Sequence, residues 1–418
     1  MKIKICDSIM GAGKSSAAIH MMNTCPDRKY LYVTPYLDEC QRIIDACPKL
    51  SFKSPMNWSG LSKLHQLEEL LAAGENIVST HALFAYYRTE TLDIIRAAGY
   101  TLVLDEVMNV IDFENLSPKD IRMMFNCGLA AVDDDQKVVW LDEAYDGKLF
   151  RDVMTKAKAG NLVYYNDALL FWTLPVISFT AFSDVYVLTY MFRAQMQSYY
   201  YEINGLEVDY IGVDKIDGVY QFVDHPTVPA YAKTLVDKIH ILDDEKLNDV
   251  GTTRRHDNPL TDTALSSTWY KHRPPSYKGP NAETVAKNIY NALRNRWKCK
   301  STDAIWTVYK AQAEHVKKRG YASGYVPCSM RATNEYRDRH YLVYGVNVFF
   351  HPMLMHYFTD RGATIDQDGY ALSEMVQWIW RSAIRCGEEV WIYVPSVRMR
   401  TLLKNWLAEL AGGKEVAT

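Results

Sequence analysis

The sequence predicts an α/β fold built on parallel sheets, and three observations carry the prediction. A short apolar run, Ile3 to Cys6, leads into a small-residue loop and then into Ala17-Ala18-Ile19, which reads as the start of a helix. Three more apolar runs follow in the first 110 residues, separated by amphipathic helical stretches. The same alternation resumes from Glu283 to the end. Strands that alternate with helices pair in parallel and are covered on both faces.

Length and composition set the frame. The chain has 418 residues, 48% hydrophobic and 23% charged. That is enough for two ordinary domains with real cores. The pattern divides into a first domain over 1–192, connecting strands with a polar insertion over 193–282, and a second domain over 283–418. A net charge of −3 argues against a whole-body basic field, so any nucleic-acid surface is a local patch. The eight cysteines are scattered, without Cys-x-x-Cys pairs or zinc spacing. They read as reduced thiols of a cytoplasmic protein. No signal peptide and no membrane-length apolar run is expected. The 29 tyrosines fill cores first, but they also stack on bases.

The loop after Cys6 carries the first chemistry. Met10-Gly11-Ala12-Gly13-Lys14-Ser15-Ser16 has the composition of a phosphate-binding loop between strand and helix. Backbone N–H groups of Gly11 to Ser15 wrap a phosphate chain, and the helix N-terminus adds its positive dipole. Lys14 reaches the β- and γ-phosphates and Ser15 holds Mg²⁺. Ser8 stands where the usual pattern has its first glycine.

The other elements are read in chain order. Residues 30–36 form a strand ending in Thr34-Pro35, followed by a helix from Leu37 to Ala46. Residues 61–73 read as a helix, with Leu61, Leu64, Leu67, Leu70 and Leu71 on one face. Asn76 to Phe84 is a buried strand ending in Ser79-Thr80-His81. Tyr100 to Val107 is an apolar strand ending in Asp105-Glu106. There Asp105 holds Mg²⁺ through water and Glu106 polarises an attacking water. Val138 to Tyr145 also ends in Asp-Glu, at Asp142-Glu143. Asp133-Asp134-Asp135 before it and Asp146-Gly147 after it mark an exposed hairpin instead.

Residues 185–192 form another buried strand, with Leu188-Thr189 near its end. Residues 193–240 look rich in strand, including Tyr199 to Ile203. Residues 243–282 are polar and hold Arg254, Arg255 and Arg273; a solvated loop is the leading reading and a phosphate contact the other. Beyond it come a helix over 282–297, a strand over 304–310, the dense polar run Arg331 to Arg339, and an apolar helix through Val346-Asn347. In Glu374 to Arg385, read as one helix, Gln377, Arg381 and Arg385 fall at i, i+4 and i+8. Such a row suits phosphate, although an exposed basic helix edge has the same spacing. A strand over 390–395 and a helix over 397–411 close the chain.

In this order the pieces resemble the superfamily 2 helicases, in the DEAD/DEAH-like form found in phage genomes. The Gly11-to-Ser15 loop looks like motif I, Thr34-Pro35 like motif Ia, Ser79-Thr80-His81 like motif Ib and Asp105-Glu106 like motif II. Leu188-Thr189-Tyr190 is similar to motif III, though it falls unusually late. Trp306-Thr307 resembles motif IV, Arg331 to Glu335 motif V, and Gln377 with Arg381 and Arg385 motif VI. Motif II ends in Val107-Met108, and the second arginine of motif VI sits one residue late. The resemblance implies two RecA-like parallel-sheet domains in tandem, with an ATP site in the cleft between them. It implies ATP and Mg²⁺ as cofactors and Gln377, Arg381 and Arg385 as catalytic groups beside Lys14, Asp105 and Glu106. It also implies a nucleic-acid partner, DNA ahead of RNA, met by Thr34, Pro35, Thr80, His81, Thr307, Arg331 and Thr333. The competing functions are a nucleotide-dependent packaging motor subunit and a P-loop nucleotide kinase.

Overall fold

The computed structural model describes residues 2–56, 62–251, 258–271, 281–329 and 335–412. They form two compact units. One comprises Met1–Asp7, Gly13–Pro226 and His356–Thr364, the other Ser8–Ala12, Thr227–Met355 and Ile365–Thr418.

The first unit is organised by a seven-stranded sheet. In chain order its first parts are β1 (Ile3–Asp7), α1 (Lys14–Thr24), β2 (Tyr30–Thr34), α2 (Leu37–Ala46), α3 (Lys63–Ala72), β3 (Ile77–Thr80), α4 (His81–Phe84), α5 (Thr89–Ala98) and β4 (Thr101–Asp105). α2 starts with Asp38 and Glu39 in its first turn, where the helix dipole favours acidic groups. α3 is capped by the Ser62 hydroxyl, which accepts from the His65 N–H at 3.2 Å. It buries Leu64, Leu67 and Leu71, while Leu61 lies outside the described residues.

An inserted layer follows β4. It contains β5 (Ile111–Phe113), α6 (Pro118–Asn126), β6 (Ala130–Val132), β7 (Val138–Trp140), α7 (Arg151–Lys158), β8 (Leu162–Tyr165) and β9 (Leu169–Thr173). Strands β5, β9 and β8 form an antiparallel sheet and β6 and β7 a hairpin. The layer has a core of its own around Met124, Trp140, Phe150, Val153, Leu162 and Leu170. The main sheet then resumes with β10 (Asp184–Thr189), α8 (Met196–Ile203), β11 (Val208–Ile216) and β12 (Val219–Val223).

Strand order in that sheet is β12-β11-β1-β10-β4-β2-β3. Every pairing but β11 with β12 is parallel. Asp7 therefore pairs with Thr189, Leu188 with Asp105, and Thr34 with Thr80, so these strand ends share one edge. Two expectations change here. β11 pairs directly with β1, so the unit runs past 192 to Pro226. Tyr199 to Ile203 is helical, with Tyr199, Tyr200 and Tyr201 buried. A parallel step from β10 to β11 needs a crossover, and that demand overrides the strand preference of tyrosine.

The second unit holds a four-stranded parallel sheet, ordered β13 (Ile239–Ile241), β16 (Val390–Tyr393), β15 (Tyr341–Tyr344), β14 (Ala304–Thr307). The expected apolar helix before Val346 is instead the buried strand β15, a run of aromatic and branched residues closed on both edges by partners. The helices α9 (Asn281–Tyr290), α10 (Gln367–Ile379) and α11 (Val397–Gly412) pack in this unit. α10 ends at Ile379, so Gln377, Arg381 and Arg385 do not share one helical face. Arg381 falls in the turn beyond and Arg385 in a 3-10 turn over Ala383–Cys386.

Arg398, near the start of α11, is 1% exposed. Its guanidinium donates to Asp368 Oδ1 from Nε at 2.9 Å and from Nη2 at 2.6 Å. It also donates to Asn347 Oδ1 at 3.0 Å and to the Val348 carbonyl at 2.6 Å. Asn347 in turn donates to the carbonyls of Asp262 and Ala264. One planar fork thus joins α11, the start of α10 and the loop after β15. Arg398→Ala leaves the buried Asn347 and the half-exposed Asp368 without this partner and is expected to cost about 2 kcal/mol, read as a lower urea midpoint. Arg398→Lys is expected to recover little, because an ammonium cannot reproduce the fork.

Candidate nucleotide site

The shared edge of the first sheet gathers most of the chemistry. Gly13 caps α1 with a left-handed backbone, φ 97°. Lys14 is the first helical residue and is buried. The loop before it holds Met10, Gly11 and Ala12, with the Ala12 N–H donating to the Ile9 carbonyl at 3.2 Å, and Ser16 lies in the first turn of α1. Gly13 is needed for space as well as for its φ. The ring of Tyr220, on β12, lies so close that a Cβ at Gly13 would sit 2.3 Å from a ring carbon.

Ser15 and Asp105, ninety positions apart, meet at this edge. The Ser15 hydroxyl donates to Asp105 Oδ2 at 3.3 Å. The Tyr32 hydroxyl donates to the same oxygen at 2.7 Å, and Arg42 Nη2 lies 3.9 Å from it. Burial pushes the Asp105 carboxyl above the ordinary carboxylate range, and the Tyr32 hydrogen bond and the Arg42 charge pull it back. Burial likewise raises Tyr32 well above its usual value, with the Asp105 charge adding to the effect. One hydroxyl and one carboxylate are a sparse donor set. That suits Mg²⁺, which keeps waters and takes phosphate oxygens.

Glu106, next to Asp105, is left-handed at φ 64°, uncommon for a residue with a side chain. Its N–H donates to the Leu188 carbonyl at 2.9 Å, which ties the turn after β4 to β10. His81 Nε2 meets the Asp105 carbonyl at 2.9 Å, so this imidazole braces the same turn. Asp7, at the end of β1, accepts from the N–H groups of Met191 at 2.6 Å and Phe192 at 2.9 Å. Burial raises its pKa; those two bonds, Lys14 and Arg193 lower it again.

The expected strand-contacting side chains are placed differently. Thr34 and Thr307 are fully buried at the ends of β2 and β14, because both strands are covered on each face. The Thr80 hydroxyl accepts from the Leu83 N–H at 3.3 Å and so caps α4. Pro35 is half-buried, and Arg331 and Thr333 lie outside the described residues. Large exposed side chains near these strand ends include Tyr36 and Leu37 at the start of α2, and Tyr86 just past α4.

In the second unit Gln377 is half-buried, Arg381 is 5% exposed and Arg385 is exposed. Glu143 sits beyond the β6–β7 hairpin, pairing with Lys158 at 2.5 Å, away from the sheet edge. Four residues at the site escape sequence reasoning: Asp7, Tyr32, Arg42 and Tyr220. The available signals are a tyrosine inside a buried strand and an arginine one turn after Glu39.

Known proteins align with these divisions. The model of the YonV middle domain matches residues 111–172, the inserted layer. That of the YonV C-terminal Rossmann-like domain matches residues 233–407. The SPbeta prophage-derived protein YonV of Bacillus subtilis (strain 168) is 39% identical over 420 residues, covering 97% of this chain and 98% of that protein. Among solved structures, an XPD helicase superposes with a TM-score of 0.45 at 10% identity over 99% of this chain and 95% of its own. Xpd4 of S. tokodaii gives 0.41 at 10% identity, over 97% and 94%.

Gly13→Ala tests the loop. A left-handed alanine costs about 1–2 kcal/mol, and its methyl displaces the Tyr220 ring. The expected outcome is loss of Mg²⁺·ATP binding by calorimetry with an unchanged circular dichroism spectrum.

Proposed function

We propose that this chain, which belongs to the YonV family, is an ATP hydrolase of the helicase type that couples turnover to movement along a nucleic-acid strand, DNA rather than RNA. The observation that carries the reading is the approach of the Ser15 hydroxyl to the Asp105 carboxylate at 3.3 Å, beside a buried lysine that opens a helix after a left-handed glycine. This is the donor arrangement of a P-loop with its metal-binding acid.

Each residue has a role in that reading. The backbone up to Ser16 binds the phosphates and Lys14 neutralises them. Ser15 and Asp105 hold Mg²⁺, which when bound offsets charge developing on the transferred phosphoryl group. Glu106 orients the attacking water. Its left-handed backbone turns the side chain out of the strand's alternation, and His81 and Leu188 fix that turn from either side. Asp7 fixes the loop after β10 to the end of β1, which relates Lys14 to that loop. In the second unit Gln377, Arg381 and Arg385 are the proposed further catalytic groups, and Arg385 is the most exposed of the three.

With Thr34 buried, strand contact at the first unit's edge falls to backbone groups, to Pro35 and to the exposed rings of Tyr36 and Tyr86. Base stacking of that kind tolerates any sequence, and phosphate contact makes binding salt-dependent. The prophage-derived relative supports a phage setting, and the role proposed there is DNA replication or recombination in the host cytoplasm.

ATPase assays with single-stranded DNA, RNA and forked duplex test the reading. Stimulation by DNA above RNA is expected, and a rate indifferent to every nucleic acid overturns the strand-moving role. Lys14→Ala is expected to abolish hydrolysis, and Glu106→Gln to bind ATP yet not turn it over; Glu143→Gln is expected to behave as wild type. Arg385→Ala is expected to lower kcat on the order of 10³-fold while ATP affinity stays within a few-fold.

A further inference from the structure

Arg42 on α2 has two acidic neighbours and a half-exposed side chain. Its Nε donates to Glu39 Oε2 at 2.6 Å, while Nη2 lies 3.9 Å from Asp105 Oδ2. That oxygen is the one on which Tyr32 and Ser15 converge. Two hydroxyls and one guanidinium therefore surround the carboxylate. We propose that Arg42 is a counter-cation for Asp105 that a divalent metal must displace, so that α2 responds to metal and nucleotide loading. The inference rests on the assignment of Ser15 and Asp105 to the metal.

The chemistry follows from charge and from the second partner. A guanidinium beside an acid stabilises the acid's charged form, and it also opposes entry of another cation at the same oxygen. Retreat of Arg42 from Asp105 does not leave its charge alone, because Glu39, one turn away on the same helix, already holds Nε. Arg42 thus has a released position built into α2. The arginine acts on the metal through Asp105 and is a positioning residue. α2 begins two residues after Pro35, and its N-cap Tyr36 and first residue Leu37 are exposed. Movement of Arg42 is therefore felt on a helix whose opening turn faces solvent at the sheet edge.

Mn²⁺ binding by the full chain with ADP present, followed by electron paramagnetic resonance, tests the proposal without any turnover. Removing an exposed charge competitor in Arg42→Ala is expected to tighten Mn²⁺ binding about two- to fivefold. Arg42→Lys, which keeps a cation, is expected to stay near wild type. Glu39→Ala takes away the released position and is expected to weaken Mn²⁺ binding. Unchanged or weaker Mn²⁺ binding in Arg42→Ala, with wild-type ADP affinity, overturns the counter-cation role alone. Failure of the wild-type chain with ADP bound to take up Mn²⁺ overturns both this proposal and the metal assignment beneath it.

Discussion

A largely buried carboxylate at the end of β4 is costly unless charge and hydrogen bonds compensate it, and in this chain the compensation comes from separate segments. Ser15 arrives from the start of α1, Tyr32 from inside β2 and Arg42 from α2. His81 braces the backbone carbonyl of the same residue from the start of α4. None of these is near Asp105 in sequence. All are near it in space because parallel pairing lays the carboxyl ends of β1, β2, β3, β4 and β10 along one edge. In open α/β sheets that edge is where ligands bind.

The inserted layer explains an oddity of spacing. In the expected order, the strand that ends in Thr189 follows Glu106 too late. Residues 111–172 form a layer with its own antiparallel sheet and its own core, and it leaves the main sheet after β4 and returns to it before β10. The edge tolerates the detour because β10 pairs with β1 and β4 wherever the chain between them travels. Asp7 and Leu188 then close the register from both sides, one through N–H groups of Met191 and Phe192, the other through its carbonyl to Glu106.

The second unit uses a buried arginine for a different end. Arg398 meets a carboxylate, an amide and backbone carbonyls, and it lies 4.5 Å over the Phe349 ring. Such a residue gives little net stability against a well-packed apolar one, but removing it leaves several groups stranded. It fixes how α11, α10 and the loop after β15 meet. The expected arginine row of α10 is broken by the end of that helix at Ile379, after which Arg381 turns inward and Arg385 outward.

Local pattern alone determined the strand–loop–helix around Gly13 and Lys14, the acidic end of β4, and the parallel α/β class, because strand burial, glycine spacing and helix starts are written in neighbouring residues. It also separated Asp105-Glu106 from Asp142-Glu143, since the aspartates around the latter mark a turn. Tertiary structure decided what neighbours in sequence cannot encode. Tyr199 to Ile203 became a helix because a parallel crossover requires one, and Tyr341 to Tyr344 became a strand because partners close both its edges. Thr34 and Thr307, which the motif resemblance implies as strand contacts, are buried by the layers packed on their sheets. Tyr32, Arg42, Asp7 and Tyr220 joined the site only when strand order set their segments side by side, since pairing between distant strands follows from the packing of whole faces rather than from any local motif.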